Sequence, residues 1–320
     1  MRSMTFDAPL NILITGASGF LGRCLSRRLQ QPGRHRIWAL SSRDADLTEC
    51  HSLEYLSSTR FDKIFHLASW TQAGDFCLHH PGEQWLINQQ INTNVLRFWA
   101  ERQRQAKLIS IGTSCSYEVG SDLREERYLD GTPIADLFAY AMTKRMLYIG
   151  QQSLSRQFGL KFLTVVPSTL YGAHYAMGKK QMHFIFDLVF KIVRHKRSGE
   201  PIVLWGDGHQ RREIVLVEDF VTDLLTLDGS VENDVVNIGA GRDFSIREFA
   251  AMICEIAAVD PSTIRYDTSR YVGAESKVLS VEKLTRLIPG RKTTPIRDGL
   301  KMLVGYVENA LNESDVRISP

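Results

Sequence analysis

No apolar run in this chain approaches the ~18 residues of a membrane-spanning helix, and no stretch repeats itself or falls into low complexity. Cysteine is scarce and unpaired. Cys24, Cys50, Cys77, Cys115 and Cys254 are odd in number and far apart, which argues against both a disulfide framework and a zinc site. Charge of one sign is lacking too: the formal net charge is +3 over 320 residues with no long basic run, so no footprint for nucleic acid is present. The first nine residues are short and polar, and a protein of the reducing cytoplasm without a secretory leader is expected. Apolar residues make up 43% and charged residues 23%, the proportions of a soluble globular chain. The length suffices for a large core, in one big domain or two.

What is present begins with a strand-like run over 10–15, followed at once by Gly16-Ala17-Ser18-Gly19-Phe20-Leu21-Gly22. A helix through Cys24, Leu25 and Leu29 comes next and is expected to stop near Pro32-Gly33. Strand, glycine-rich turn and helix in this order form a dinucleotide-binding unit. The glycines permit a tight turn and close backbone approach, and the helix N-terminus faces a pyrophosphate. The spacing is G-x-x-G-x-x-G rather than G-x-G-x-x-G. A second strand, 36–40, ends in Ser41-Ser42-Arg43. A carboxylate here would serve the ribose 2′-hydroxyl of NAD, whereas an Arg accommodates the 2′-phosphate of NADP. Arg43 therefore points to NADPH, with Asp44 as the competing signal. A third strand, 61–69, closes on Leu67-Ala68-Ser69, which suits close cofactor approach, and His66 within it is expected to be packing. Asn88 and Asn92, on a helix over 86–102, are expected to be exposed or capping.

A strand over 107–112 runs into Thr113-Ser114-Cys115. If the backbone stays extended, Thr113 and Cys115 project to one side, at the end of a parallel sheet where ligands bind in open α/β folds. A charged segment, 122–130, reads as a substrate-side loop. Tyr140 and Lys144 follow on a helix, four residues apart and so on one face. A free tyrosine has a pKa of about 10, and a cation held nearby lowers it. The pair suits the proton of an alcohol–ketone interconversion while a nicotinamide moves the hydride. A further strand over 159–166 ends at Pro167.

These separated motifs resemble the extended short-chain dehydrogenase/reductase superfamily, the NAD-dependent epimerase/dehydratase family. Within it they are most similar to the GDP-L-fucose synthase subfamily, NADPH-dependent epimerase–reductases of nucleotide sugars. The similarity runs from about residue 10 to about residue 285. It rests on Ser41-Ser42-Arg43-Asp44, Thr113-Ser114-Cys115-Ser116-Tyr117, Tyr140 to Lys144, Leu170-Tyr171-Gly172, and Val203-Leu204-Trp205-Gly206 with Arg211-Arg212-Glu213. The resemblance implies that Thr113 hydrogen-bonds the substrate oxygen, that Tyr140 is the proton donor, and that Lys144 positions the ribose and tunes Tyr140. Cys115 and His183 stand where fucose-synthase-like enzymes exchange protons at the carbons flanking a ketone. The turn residues Gly16, Ser18, Gly19, Phe20, Leu21 and Gly22 would border the cofactor, as would Ser42, Arg43, Asp46, Leu47, Leu67, Ala68 and Pro167. On the substrate side it implies Trp205 as a contact, Arg212 as the diphosphate ligand and Lys277 as a retained basic residue. Thr169 stands where the family usually has Asn. The stretches 173–176 and 269–277 also depart from the family pattern, so the cofactor and proton chemistry carry over better than the sugar or its base.

The residues themselves are compatible. His183 opens a helix whose apolar positions Ile185, Leu188, Val189, Ile192 and Val193 follow helical spacing, and a helix N-terminus favours neutral imidazole. Two arginines and an indole beside Gly206-Asp207-Gly208 suit a sugar nucleotide. Ser245-Ile246-Arg247-Glu248 has the spacing of a capping box, and helices over 280–287 and 296–311 follow.

The expected fold is α/β, a doubly wound parallel sheet (Rossmann-like) with a smaller mixed α/β C-terminal substrate lobe. Residues 1–167, with 211–240 returning, would form the dinucleotide-binding domain, and 168–210 with 241–320 the lobe. The expected activity is NADPH-dependent reduction at carbon 4 of a nucleotide-diphosphate 4-keto-6-deoxy sugar, GDP-linked by resemblance, with epimerisation at carbon 3, carbon 5 or both. No metal, nucleic acid or membrane partner is expected. A homodimer through the 86–102 and Tyr140 helices is what the superfamily suggests. Two rival readings stand beside this one: a redox-neutral nucleotide-sugar epimerase with tightly bound NAD, and a non-catalytic cofactor-binding regulator or scaffold.

Overall fold

Short apolar strands, each followed by a segment long enough to cross back over its neighbours, assemble in parallel. The computed structural model describes residues 9–30, 35–72, 76–175, 182–269 and 276–316. In chain order come β1 (Leu10–Thr15), α1 (Phe20–Leu29), β2 (His35–Leu40), β3 (Lys63–His66), α2 (Phe76–His79), α3 (Pro81–Arg102), β4 (Lys107–Ile111), α4 (Phe138–Phe158) and β5 (Phe162–Pro167). Next are β6 (Thr169–Tyr171), α5 (Phe184–Ser198), β7 (Ile202–Trp205), β8 (Arg211–Arg212), β9 (Ile214–Leu216), α6 (Val217–Asp228) and β10 (Asp234–Ile238). The chain closes with β11 (Phe244–Ser245), α7 (Ile246–Ala257), β12 (Ile264–Asp267), α8 (Glu282–Leu287) and α9 (Ile296–Val316).

The main sheet has the order β10-β5-β4-β3-β1-β2, and every neighbouring pair is parallel. From β1 the chain goes outward to β2 on one side and to β3, β4 and β5 on the other. The crevice over the C-terminal ends of β1 and β3 is therefore the switch point at which open sheets bind ligands. One face of the sheet is covered by α3, α4 and the 41–62 segment, around Phe61, Trp99, Leu108 and Phe162. The other is covered by α1, α6 and α8, around Leu25, Phe220, Leu224 and Leu284. Strands buried on both faces read as continuous apolar runs, as β1 and β5 do.

A third core lies apart, where α5, α7 and α9 meet β7 through Ile185, Val189, Ile202, Phe249, Leu303 and Val307. Here β7 pairs with β12, β8 with β11 and β6 with β9. Of the stretch 211–240, α6 and β10 pack with the main sheet, while β8 and β9 pair outside it.

Local chemistry sets the element ends. Ser245 and Glu248 close a reciprocal capping box on α7. The strand expected over 159–166 starts only at Phe162, because Gly159 (φ +69°) is the left-handed cap of α4. The helix expected over 280–287 starts at Glu282, and Ser280 instead donates its amide to the Leu123 carbonyl. Asn88 and Asn92 are buried rather than exposed, because Ser69, Trp70, His66 and the Thr143 carbonyl supply them with partners. The expected stop at Pro32-Gly33, and Ala176, Gln181 and residues 270–275 of the substrate-side stretches, lie outside the described residues. Among the described residues no helix is long and apolar enough to cross a membrane, and no group of three His, Cys, Asp or Glu side chains could hold a metal ion.

Candidate active site

The turn between β1 and α1 is built on clearances that no side chain fits. A methyl group on Gly22 would stand 2.2 Å from the Gly16 carbonyl oxygen, and one on Gly16 (φ +69°) would stand 2.7 Å from the Ala68 amide nitrogen. Gly16 thus lies directly on the Leu67–Ala68 backbone, and Gly22 lets α1 seat on the turn. Gly19 caps α1 without a side-chain hydrogen bond, which leaves the amides of Phe20, Leu21 and Gly22 for a ligand's phosphate. Arg23 donates to the carbonyls of Ser18 and His174, each at 2.6 Å, and the Phe20 ring packs edge-on against Tyr175 and Phe186. The turn is therefore clamped to the third core.

At the end of β2, Asp44 accepts from the Ser41 amide at 2.8 Å and the Ser41 hydroxyl at 2.7 Å. Those bonds hold its pKa below the ordinary value. With that carboxylate committed to Ser41, Arg43 is the exposed charge beside exposed Ser42, and it has no ion pair among the described residues. Asp46 binds the Thr48 amide at 2.9 Å and hydroxyl at 2.7 Å, while Leu47 is buried in the core beneath.

Past β4, Thr113 is extended (φ −150°, ψ 141°), but Ser114–Ser116 wind into a single 3₁₀ turn. The alternation that would put Thr113 and Cys115 on one side is absent. Instead, the Thr113 hydroxyl accepts the Cys115 amide at 3.2 Å. The two still gather, because α4 lays Tyr140 over this turn, with the Thr113 hydroxyl and the Cys115 thiol beside the phenol. Lys144, one helical turn on, is buried with Nζ 5.9 Å from the centre of the Tyr140 ring, and burial lowers its pKa to about 8.

The depressed phenol expected from the helical spacing is not found. Burial first, then Cys115, push Tyr140 well above the ordinary tyrosine value, and Lys144 lies toward the ring. A phenol held above its ordinary value stays protonated and keeps a proton to give. Cys115 goes the other way. Burial pushes its thiol up, but the Lys277 ammonium, with Nζ 3.0 Å from Sγ, and the Thr113 hydroxyl outweigh it, and the net shift is downward.

His66, at the end of β3, is packed as expected, but it also links two parts of the site. Its Nδ1 lies 2.8 Å from Thr15 Oγ1 and its Nε2 3.1 Å from Asn92 Oδ1, and Asn92 Nδ2 donates to the Thr143 carbonyl at 3.2 Å. This chain joins the end of β1 to α4 one residue before Lys144. Burial, then the Lys144 charge, push the imidazole down to about 4. An unfolded His takes its proton near 6.5, so between these values the unfolded chain binds more protons and stability falls as pH falls. An acid loss of about 3 kcal/mol from this group is expected by pH 4. Urea denaturation at pH 7 and pH 4.5 should show a smaller drop for His66→Gln. Equal drops would reject the assignment.

His183 caps α5 (φ −58°, ψ 147°) without a side-chain cap bond. The residue as a whole is exposed, yet the protein around its ring lowers its pKa below the ordinary histidine value. Burial, rather than the helix terminus, is the cause. Phe186 in the first turn of α5 packs on Phe20, which sets the N-termini of α5 and α1 side by side. Trp205, ending β7, is 46% exposed and not a core residue. Arg211 is taken up by Asp243 at 2.9 Å and Glu248 at 3.3 Å. Arg212 is half-buried on β8 and donates to the Arg211 carbonyl at 2.7 Å. Thr169 opens β6 just past Pro167. The structure thus brings Thr113, Cys115, Tyr140, Lys144 and Lys277 together, and leaves His183, Trp205 and Arg212 on separate elements around the third core.

Residues 12–239 match the NAD dependent epimerase/dehydratase family. The chain belongs to that family. It is 28% identical over 310 residues to GDP-L-colitose synthase of Yersinia pseudotuberculosis, covering 95% of this chain and 99% of the relative. To GDP-L-fucose synthase of Dictyostelium discoideum it is 25% identical over 298 residues, covering 91% and 92%. A solved GDP-L-fucose synthetase from Naegleria fowleri bound to NADP superposes with a TM-score of 0.84 at 22% identity, over 97% of each chain. That likeness bears on the fold, and it agrees with the doubly wound sheet. The superfamily expected from the motifs is the one found, and it is an enzyme family.

Four residues of this epimerase/dehydratase site carry no local sequence signal. The Arg145 guanidinium is buried and donates to the Ser116 carbonyl at 2.9 Å, to Gly131 at 2.8 Å and to Leu129 at 3.3 Å. It pins the turn that holds Cys115, and it makes part of 122–130 a brace rather than a substrate-side loop. Glu125 of the same segment is likewise buried and accepts the Asn237 amide at 2.9 Å. Glu213 accepts the amides of Ala240 at 2.5 Å, Gly241 at 2.7 Å and Leu279 at 2.9 Å, and burial raises its pKa to about 6. The Ser168 hydroxyl, next to Pro167 at the end of β5, is buried and has no hydrogen-bond partner among the described residues.

Proposed function

We propose that this enzyme reduces the ketone of a nucleotide-diphosphate 4-keto-6-deoxy sugar, GDP-linked, with NADPH, and epimerises a carbon beside that ketone. The observation that carries the reading is the gathering of Thr113, Cys115 and Tyr140 at the end of β4, with the thiol shifted toward its anion and the phenol held neutral. A carbonyl oxygen placed there meets a proton donor in Tyr140 and a hydroxyl in Thr113, while Cys115 stands beside the adjacent carbon as a base. That carbon is acidic because the ketone withdraws electrons from it. His183, its pKa lowered by burial, is the second proton-exchanging group.

NADPH, when bound, supplies hydride at carbon 4. The residues fit it: the uncapped amides of α1 suit the pyrophosphate and Arg43 the 2′-phosphate, and the unpartnered Ser168 hydroxyl suits a polar group of the nicotinamide end. Trp205 offers a face for packing and Arg212 a guanidinium for the diphosphate. The relatives, a GDP-L-colitose synthase and a GDP-L-fucose synthase, support the GDP sugar. The reading includes a substrate lobe built on the third core. It also includes a homodimer across α3 and α4, whose exposed Leu86, Met146 and Ile149 would be covered. Light scattering should then report twice the 36.3 kDa of one chain.

The test is turnover of GDP-4-keto-6-deoxymannose in deuterated water, with NADPH followed by absorbance and product deuterium mapped by NMR. NADPH consumption with deuterium beside carbon 4 is expected. NADPH consumption without that deuterium would remove the epimerase half. Product formed with no NADPH consumed would overturn the reductase.

A further inference from the structure

The Cys115 thiol has a cation of its own. Lys277 Nζ stands 3.0 Å from Sγ although the two residues are 162 apart in the chain. Lys277 has no carboxylate partner among the described residues, so its charge is spent on the thiol. The backbone that carries it is fastened on both sides. Ser276 Oγ donates to Asp243 Oδ2 at 3.1 Å, and Asp243 is itself held by Arg211. The Leu279 amide donates to Glu213 at 2.9 Å, and the Ser280 amide to the Leu123 carbonyl at 3.1 Å. Such anchoring makes the contact a built feature of the fold.

We propose that Lys277 holds Cys115 as the thiolate base of the epimerisation, a positioning residue that acts through the thiol; this rests on the epimerase half of the proposed function. A free thiol, with a pKa near ~8.5, is mostly protonated at neutral pH, and an ammonium in contact favours the thiolate. The other groups facing Cys115 are the Thr113 hydroxyl, the Tyr140 and Tyr128 phenols and the Cys77 thiol. None of those is a cation. In the step itself, the thiolate takes the proton from the carbon flanking the substrate ketone. The C–H bond breaks, an S–H bond forms, and the electron pair moves into the enolate whose oxygen faces Tyr140 and Thr113. Lys277 keeps its proton throughout. His183, having drawn a proton from water, returns it to the carbon, and the thiol and imidazole reset by exchange with water.

Iodoacetamide alkylation followed against pH tests the ion pair, with peptide mass spectrometry separating Cys115 from exposed Cys50. It needs neither substrate nor NADPH, so it reports on Lys277 even if the substrate assignment fails. Lys277→Met, which keeps the length of the stem, should raise the midpoint for Cys115 by about 1–2 pH units and slow its alkylation at pH 7 at least tenfold. Lys277→Arg should restore most of the midpoint. An unchanged midpoint in Lys277→Met would overturn the proposal, and so would a gain in alkylation rate, which marks a loosened site. Deuterium wash-in beside the ketone should fall in step with the thiolate fraction. Wash-in that is unchanged while the midpoint shifts would take the base role from Cys115.

Discussion

Tyr140→Phe should lower NADPH-dependent turnover of the keto sugar by roughly 10²–10⁴-fold, while deuterium exchange beside carbon 4 persists. The substitution removes one oxygen and keeps the ring that packs over the Thr113–Ser116 turn, so melting should stay near that of the parent protein. On the proposed reading its main effect falls on the reduction, where the phenol protonates the carbonyl oxygen, whereas exchange at the adjacent carbon runs on Cys115 and His183 with Thr113 still facing the enolate oxygen. The direction of the phenol's shift sharpens this. Burial and Cys115 hold Tyr140 above its ordinary value, so the donor stays loaded through pH 9, and an alkaline limb of the rate below that belongs to another group. Lys144, lowered to about 8 by burial, is the first to examine. Full reductase turnover in Tyr140→Phe would remove the phenol from the mechanism.

Gly22→Ala should weaken NADPH binding at least tenfold, read by quenching of protein fluorescence, and lower stability by roughly 1–3 kcal/mol. The added methyl would stand 2.2 Å from the Gly16 carbonyl oxygen and 2.7 Å from the Ala17 Cα, both backbone atoms without a rotamer to yield. Relief requires α1 to tilt off the turn, which carries its first amides away from the pyrophosphate position. A loss of ~1.4 kcal/mol of binding is already a factor of ten. Gly82, in the first turn of α3, is the matched control, since a methyl there meets nothing within 4 Å. Gly82→Ala should be neutral or stabilising by a few tenths to ~1 kcal/mol. If Gly22→Ala binds NADPH with unchanged affinity, the glycine turn is not the pyrophosphate site.

Much of this site was legible because its signals are local. The glycine turn directly follows a strand, Arg43 ends the next strand, and Tyr140 and Lys144 share a face through the helical repeat. Each depends on residues within a few positions of one another, where chain geometry alone decides the neighbourhood. Thr113 and Cys115 were grouped correctly on a wrong premise. The backbone turns after Thr113, and it is α4 packing over that turn that gathers them.

By itself, then, the sequence determined the order of strands and helices, the dinucleotide turn, the placing of Tyr140 and Lys144 on one helix face, and the family. Only the tertiary structure decided which charges those groups meet. Lys277 reaches Cys115 from 162 residues away, Arg145 braces the Cys115 turn, Asn92 and His66 tie β1 to α4, and Glu213 anchors the Lys277 segment. The direction of the Tyr140 shift belongs with them. Spacing along a helix shows that a cation is near, but desolvation is a property of everything packed around the phenol, and here burial sets the direction of the shift.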